Sequence, residues 1–177
     1  MKFIKIYFIF FSIIFFISCN NSAQQVKTKD ESNDFYETLK NDPLLKNYEV
    51  EIVEYYENGN PKLVTYSEKL NMADIKYEKE FHENGTLYIE GGYENGKRTG
   101  KWRAWYGNGV LWSIGDYING LKEGIREVYY ENGMLRYSMS YKNDKADGIA
   151  RYYDLQGNLI TEIKYEQDSI IYQKNSY

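Results

Sequence analysis

A glycine-centred pattern that recurs every 24 residues is the feature that most constrains the fold of this chain. The dipeptide Asn84-Gly85 returns at that spacing as Asn108-Gly109, Asn132-Gly133 and, in altered form, Gln156-Gly157. A looser first copy contains Asn58-Gly59, 26 residues before the next. A fixed spacing of this kind indicates a stack of small units that bury surface against their neighbours. We therefore predict five units over residues 51–168 instead of one globular core.

Other positions keep the same spacing. In the four units after the looser first copy, a leucine follows the first glycine by two residues and a tyrosine follows it by eight. The positions we predict to be structural are Gly85, Gly109, Gly133 and Gly157, Leu87, Leu111, Leu135 and Leu159, and Tyr93, Tyr117, Tyr141 and Tyr165. A second marker, Asn95-Gly96, returns as Asn119-Gly120 and Asn143-Asp144.

Two strand-like runs flank the first marker of each unit. Asn-Gly is a strong hairpin signal, because both residues tolerate positive φ in a turn that matches the twist of the strands. Residues of one parity share a face of a strand, so we expect the leucine and the tyrosine of each unit to lie on one buried face. The sequence predicts an all-β fold, an elongated antiparallel sheet of stacked β-hairpin repeats.

The N-terminus has the pattern of an export signal. Lys2 and Lys5 precede an apolar run over residues 6–17, which is shorter than the roughly 20 residues of a membrane span. Phe16-Ile17-Ser18-Cys19 resembles the lipobox of bacterial lipoproteins, which implies a signal peptide over residues 1–18, lipidation of Cys19 and retention at a membrane. Asn20 follows the cysteine, and the aspartate associated with inner-membrane retention is absent. We therefore expect a lipid-anchored protein of the bacterial cell envelope, at the outer membrane if the cell has two.

The segments that flank the repeats have their own patterns. Residues 19–33 are polar and are expected to form a flexible tether. Phe35, Tyr36 and Leu39 have helical spacing before Pro43, so residues 34–50 are predicted to form a short helical cap over the first sheet edge. Residues 169–177 are expected to add a final strand.

The composition excludes several kinds of chemistry. A net charge of −4 leaves no electrostatic footprint for nucleic acid. His82 is the single histidine, so we expect neither a zinc site of the common three- or four-ligand kind nor a Ser-His-Asp arrangement. His82 also occupies a slot that tyrosine holds in other units. Glu90, Asp116 and Glu127 could serve as a carboxylate pair, but nothing in the sequence places them together. We expect no enzyme, no metal and no cofactor.

An aromatic cluster in the third unit is the one candidate binding platform. It consists of Trp102, Trp105, Tyr106 and Trp112. Packing between neighbouring hairpins would explain these residues. They could also form a platform, because Trp and Tyr dominate interface hot spots and stack on sugar rings.

The motif Tyr129-Tyr130-Glu131-Asn132-Gly133-Met134-Leu135, followed by Tyr141-Lys142-Asn143 and Gly148, resembles the MORN-type repeat. The variant it resembles is the one found in bacterial proteins of the YwqK class, which are often labelled antitoxins. The resemblance implies a sheet of hairpins with a binding or scaffolding role and no catalytic residues. An exported protein could not neutralise a cytoplasmic toxin, but it could neutralise an incoming toxin at the envelope.

Two classes of function follow from these observations. The first is a membrane-tethered scaffold that binds a protein partner through one sheet face. The alternative is a carbohydrate- or peptidoglycan-binding lipoprotein that uses the Trp/Tyr cluster, or an immunity protein that neutralises a toxin at the envelope.

Overall fold

The computed structural model describes residues 48–68 and 74–176, which form eleven strands. The strands are β1 (Tyr48–Tyr55), β2 (Pro61–Glu68), β3 (Ile75–Phe81), β4 (Leu87–Glu94), β5 (Lys97–Trp105), β6 (Leu111–Ile118), β7 (Leu121–Tyr129), β8 (Leu135–Lys142), β9 (Lys145–Tyr153), β10 (Leu159–Glu166) and β11 (Ser169–Asn175). They lie in one open sheet in chain order, and every neighbouring pair is antiparallel. The predicted all-β antiparallel fold is confirmed.

The N-terminal predictions fall mostly outside this sheet. The predicted signal peptide, Cys19, the tether and the helical pattern of residues 34–45 lie outside the described residues. One boundary was wrong: residues 48–50 were assigned to the cap, yet they belong to β1. Val50 is opposite Tyr66 of β2, so this segment extends the sheet and continues its ladder.

Two kinds of turn alternate along the sheet. The turn between β4 and β5 has two residues, Asn95 and Gly96, and both have positive φ, 52° and 72°. The turn between β5 and β6 is longer: the N–H of Gly109 donates to the carbonyl of Tyr106, and only the glycine has positive φ. A turn followed by a left-handed glycine is the usual longer hairpin connection. Positive φ at both turn residues therefore holds for the second marker, Asn95-Gly96. It was wrong for the first marker, Asn108-Gly109, where only the glycine has positive φ.

The asparagine of the first marker has a different task from the one predicted. Its side-chain oxygen accepts a hydrogen bond from the backbone N–H two residues later, at 3.0 Å from Val110 to Asn108. In three units its side-chain nitrogen also donates to a carbonyl of the next unit, from Asn58 to Glu83 at 2.9 Å, from Asn84 to Gly107 at 2.8 Å and from Asn132 to Leu155 at 3.0 Å. The asparagine thus closes its own turn and joins it to the following one.

A bulge near the start of β4 changes which face its residues occupy. Ile89 is opposite Glu80, whereas Leu87 is opposite Phe81, so two steps along β4 match one step along β3. Leu87 and Tyr77 both pack against a buried cluster that contains Phe81. Tyr77 is opposite Gly92, which places Tyr93 on the other face. The expectation that leucine and tyrosine share one face was wrong, because a bulge interrupts strand alternation.

The sheet therefore has two unlike faces. The tryptophan face carries Tyr93, Trp102 and Tyr117 and continues across the later strands. The ion-pair face begins with the buried cluster of Val64, Tyr66 and Phe81 and then becomes polar from β4 onward.

Candidate binding surface

Trp102 lies at the centre of the tryptophan face and is 4% exposed. The edges of two tyrosine rings meet its indole, with centroid distances of 5.1 Å to Tyr93 and 6.1 Å to Tyr117. The guanidinium carbon of Arg98 lies 4.0 Å from the indole centroid, and the indole N–H donates to the carbonyl of Gly92 at 3.2 Å. With its edges and one ring face occupied, Trp102 packs the sheet and presents almost no surface to a ligand.

A row of small and large side chains crosses the tryptophan face through Trp102. The buried Gly91 lies beneath the indole, where a Cβ would overlap the ring. On the other side Trp102 is opposite Gly115, and a Cβ at Gly115 would lie 3.2 Å from Cγ of Arg126. The row continues through Met139, Ala150 and Ile163 in adjacent strands. The small residues leave room for the large side chains beside them to lie flat on the sheet. The large side chains can therefore be buried although the sheet is a single layer.

The other members of the predicted platform lie near the longer turns. Trp105 is opposite Leu111 and is half-buried. The rings of Tyr106 and Trp112 are 6.3 Å apart, and both are half-buried. The predicted platform is thus divided: Trp102 packs among its own neighbours on the tryptophan face, and the Tyr106–Trp112 pair lies beside a turn.

The Tyr106–Trp112 pair is one instance of an arrangement repeated in four units. The tyrosine hydroxyl donates to a backbone carbonyl of the next unit, at 2.8 Å from Tyr106 to Tyr129 and 2.9 Å from Tyr130 to Tyr153. Tyr56 does the same toward Phe81, and in the remaining unit Nε2 of His82 lies 3.0 Å from the carbonyl of Trp105. His82 therefore acts as a unit-to-unit hydrogen-bonding residue. The residue six positions later, facing each of these rings, varies from unit to unit and is Lys62, Tyr88, Trp112 or Arg136.

A cluster of tyrosines occupies the tryptophan face over strands β8 to β10. We call it the tyrosine patch, and it consists of Tyr137, Met139, Tyr141, Tyr152 and Tyr165. The rings of Tyr137 and Tyr152 are 5.6 Å apart with a tilt of 36°. All five side chains are half-buried, so each has an exposed part.

The tyrosine hydroxyls of this patch perturb one another. Burial raises the pKa of Tyr152 to about 12, and its interaction with Tyr165 adds to the effect. Burial also raises the pKa of Tyr141, while Lys122, whose Nζ lies 5.3 Å from the ring centroid, opposes the rise. The patch is therefore an uncharged, hydrogen-bonding aromatic surface at neutral pH.

Several charged side chains of the ion-pair face pair with one another. Arg103 pairs with Glu90 at 3.3 Å, and Lys101 pairs with Asp116 at 3.0 Å. Glu127 accepts a hydrogen bond from Tyr129 at 2.7 Å, and burial together with Glu127 raises the pKa of this tyrosine to about 12. Glu90, Asp116 and Glu127 were the candidates for a carboxylate pair. Each of them interacts with a different residue across or along the sheet.

The described part of the sheet has neither a metal-binding cluster nor a membrane-spanning helix. Among residues 48–68 and 74–176, no group of three or more His, Cys, Asp or Glu side chains could hold a metal ion. Over the same residues, no helix has the length and apolar character needed to cross a bilayer.

Three consecutive segments of the chain match a known repeat family. Residues 77–97, 98–119 and 122–143 each match the MORN repeat variant. The first segment covers most of β3 and all of β4, the second covers nearly all of β5 and all of β6, and the third covers nearly all of β7 and all of β8. The matches support a protein of the MORN-type repeat class, which is consistent with the hairpin geometry. No curated protein matches the chain at a significant level.

Sequence reasoning missed the tyrosine patch as a unit. It treated Tyr141 and Tyr165 only as repeat positions and gave no role to Tyr152. Tyr137 and Tyr152 lie opposite each other in adjacent strands, a proximity that depends on register. The available signal was the unusual tyrosine content, 20 residues of 177, combined with the predicted order of antiparallel hairpins.

Proposed function

We propose that this protein is a non-enzymatic repeat scaffold, held at the membrane through lipidated Cys19, that binds a protein partner on the tyrosine patch. The observation that carries the proposal is the concentration of half-exposed Tyr and Met side chains on one face of a single-layered sheet. Aromatic residues and Met are enriched in the buried centres of protein interfaces.

The chemistry of the patch suits a protein better than a charged ligand. Each tyrosine offers a large apolar ring with one polar tip, and its two χ angles cost little entropy when a partner orders it. Arg126 lies opposite Met139 and donates to the hydroxyl of Tyr117 at 3.4 Å and to the hydroxyl of Ser113 at 3.1 Å. A cation at the margin of an aromatic surface is typical of interface hot spots.

The opposite face is a poorer candidate because its charges already have partners. Exposed ion pairs such as Lys101–Asp116 gain little from a further partner, and covering them costs desolvation. The structure thus favours one face of the sheet over the other.

Strand β8 supplies a matched test, because its alternate residues lie on opposite faces. Met139 belongs to the tyrosine patch, and Ser138, opposite Arg151, lies on the ion-pair face. Both side chains are half-buried. We expect the full chain and the Ser138→Glu variant to retain the same envelope protein in affinity capture, and Met139→Glu to lose it. Equal retention by both variants, or equal loss, would contradict binding through the patch.

The tether is tested separately. We expect Cys19→Ser to move the chain from the membrane fraction to the soluble fraction, with the lipid-dependent mass increase lost from the N-terminal peptide. A chain that stays in the membrane fraction after this change would exclude Cys19 as the anchor.

Glycan binding is a second candidate, and the half-exposed pair Tyr106–Trp112 is the observation that favours it. Trp112 and the exposed Tyr88 occupy equivalent positions in neighbouring units. Rings repeated along one edge could stack on successive sugars of a chain. A saturable change in tryptophan fluorescence on adding purified peptidoglycan fragments, abolished in Trp112→Ala, would support this candidate.

A further inference from the structure

Strand β11 forms one edge of the described sheet, and this edge is apolar and almost uncharged. Among the described strands, β11 pairs with β10 alone. All its side chains are exposed, including Ile170 at 57%, Ile171 at 53% and Tyr172 at 49%. Lys174 is its single charged residue. Natural proteins usually protect a sheet edge with charges or prolines, because unpaired backbone groups bind other strands.

The backbone groups that point away from β10 can be assigned. The N–H of Ser176 donates to the carbonyl of Ile160 at 2.8 Å, and the carbonyl of Lys174 accepts the Thr161 hydroxyl at 3.0 Å, so both residues face β10. Inward and outward groups alternate along an antiparallel strand. Gln173 and Asn175 therefore direct their N–H and C=O groups outward.

The other edge of the described sheet, strand β1, carries the charged side chains that β11 lacks. β1 carries Glu49, Glu51 and Glu54, and all three are exposed. Pairing β1 with itself would bring these carboxylates together, which is unfavourable across a strand pair. The two ends of the sheet thus differ in their ability to accept a second strand.

We propose that β11 pairs antiparallel with β11 of a second copy, about a two-fold axis at Gln173. In this register the outward groups of Gln173 bond to their own counterparts, and Tyr172 of each copy is opposite Lys174 of the other. No two like charges are directly opposite, and an ammonium group beside a tyrosine ring is favourable. The bulge between the Lys164–Tyr172 and Tyr165–Ile170 pairs leaves the stretch from Tyr172 onward regular. An isologous contact of this kind closes at two copies.

The paired sheet would have 22 strands with both tryptophan faces on the same side, since the axis is perpendicular to the sheet. Strands are about 4.8 Å apart, so the two copies of β9 would be separated by five spacings, roughly 24 Å. A partner with two sites at that distance would bind both patches at once and gain avidity. The strand pairing itself does not depend on the proposed function of the patch.

The test uses the full chain in detergent, with mass measured by sedimentation velocity and the fold checked by circular dichroism. Tyr172→Lys places two ammonium groups opposite each other, whereas Tyr172→Glu removes the same ring but places a carboxylate opposite Lys174. Ile125→Lys is the control, since Ile125 is 61% exposed on an inner strand. We expect a dimer for the unaltered chain, Tyr172→Glu and Ile125→Lys, and a folded monomer for Tyr172→Lys.

Three results would overturn the pairing. The first is a monomer of the unaltered chain at the highest concentration tested. The second is a mass that grows beyond the dimer with concentration, which indicates head-to-tail contact between β11 and β1. The third is an equal effect of the two Tyr172 variants, which would exclude the proposed register even if one of them folds poorly.

Discussion

The contact between Gly91 and Trp102 gives the sharpest quantitative prediction, because it depends on size alone. Because Gly91 does not have a positive φ, alanine can adopt the same backbone conformation. The substitution therefore disturbs only the packing. A Cβ at this position would overlap the indole, which Tyr93, Tyr117 and Arg98 hold in place. We therefore expect Gly91→Ala to lower the free energy of unfolding by about 1–3 kcal/mol, the usual cost of overpacking.

Removing the ring should make the added methyl group harmless. Trp102→Ala alone is expected to cost about 3–5 kcal/mol, because it empties a buried aromatic site. In the double variant the overlap is gone, so the total should be no larger than that of Trp102→Ala alone. The coupling free energy between the two changes should then be about 1–3 kcal/mol in favour of the double variant.

The assay is urea unfolding of the full chain and its variants, followed by circular dichroism, with the thermal midpoint as a second measure. Gly92→Ala is the control, since it has no positive φ and its Cβ would make only ordinary contact, 3.5 Å from the Thr99 carbonyl oxygen. It should change stability by about 0.5 kcal/mol or less. Additive costs in the double variant, or equal costs for the two glycines, would refute this account of the packing.

Three further predictions follow from single contacts. Gly109→Ala, at φ 82°, should cost about 1–2 kcal/mol in thermal unfolding, because an L-residue is strained in the left-handed region; no change would exclude the assigned turn. Tyr130→Phe should cost about 0.5–1.5 kcal/mol in urea unfolding, because it removes the hydrogen bond to the Tyr153 carbonyl, and an unchanged midpoint would show that this bond does not stabilise the stack. The pKa values of Tyr129 and Tyr152 are raised to about 12 from an unfolded value near 10, so the stability they contribute is fully present below pH 10 and lost between pH 10 and 12. The loss should be smaller in the Tyr129→Phe/Tyr152→Phe variant, and the same loss in that variant would rule out these two groups.

Much of the fold could be predicted from the spacing of the repeats. Glycine and asparagine at fixed intervals determine where the chain turns, and consecutive turns determine the order of the strands. The hairpin class and the antiparallel sheet therefore follow from positions such as Gly85 and Gly109. These inferences depend only on local conformational preferences, which the sequence carries directly.

The faces of the sheet could not be predicted by parity, because a bulge shifts the alternation without leaving a clear mark in the sequence. Leu87 and Tyr93 are six residues apart, yet they occupy opposite faces. The same limitation affected the binding surface. Trp102 is buried against partners in neighbouring strands, while Tyr137 and Tyr152 meet only through the register of β8 and β9. Cross-strand contacts depend on register, and register is a property of the whole sheet.

Site-specific photo-crosslinking in the native host tests the proposed function most directly. A photoreactive amino acid is placed at Met139 on the tyrosine patch or at Ser138 on the ion-pair face, in the full lipidated chain. If the protein is a tethered scaffold that binds a partner through the patch, position 139 should give a discrete adduct with another protein and position 138 should give none. An adduct only at position 138, or none at either position, would contradict the account.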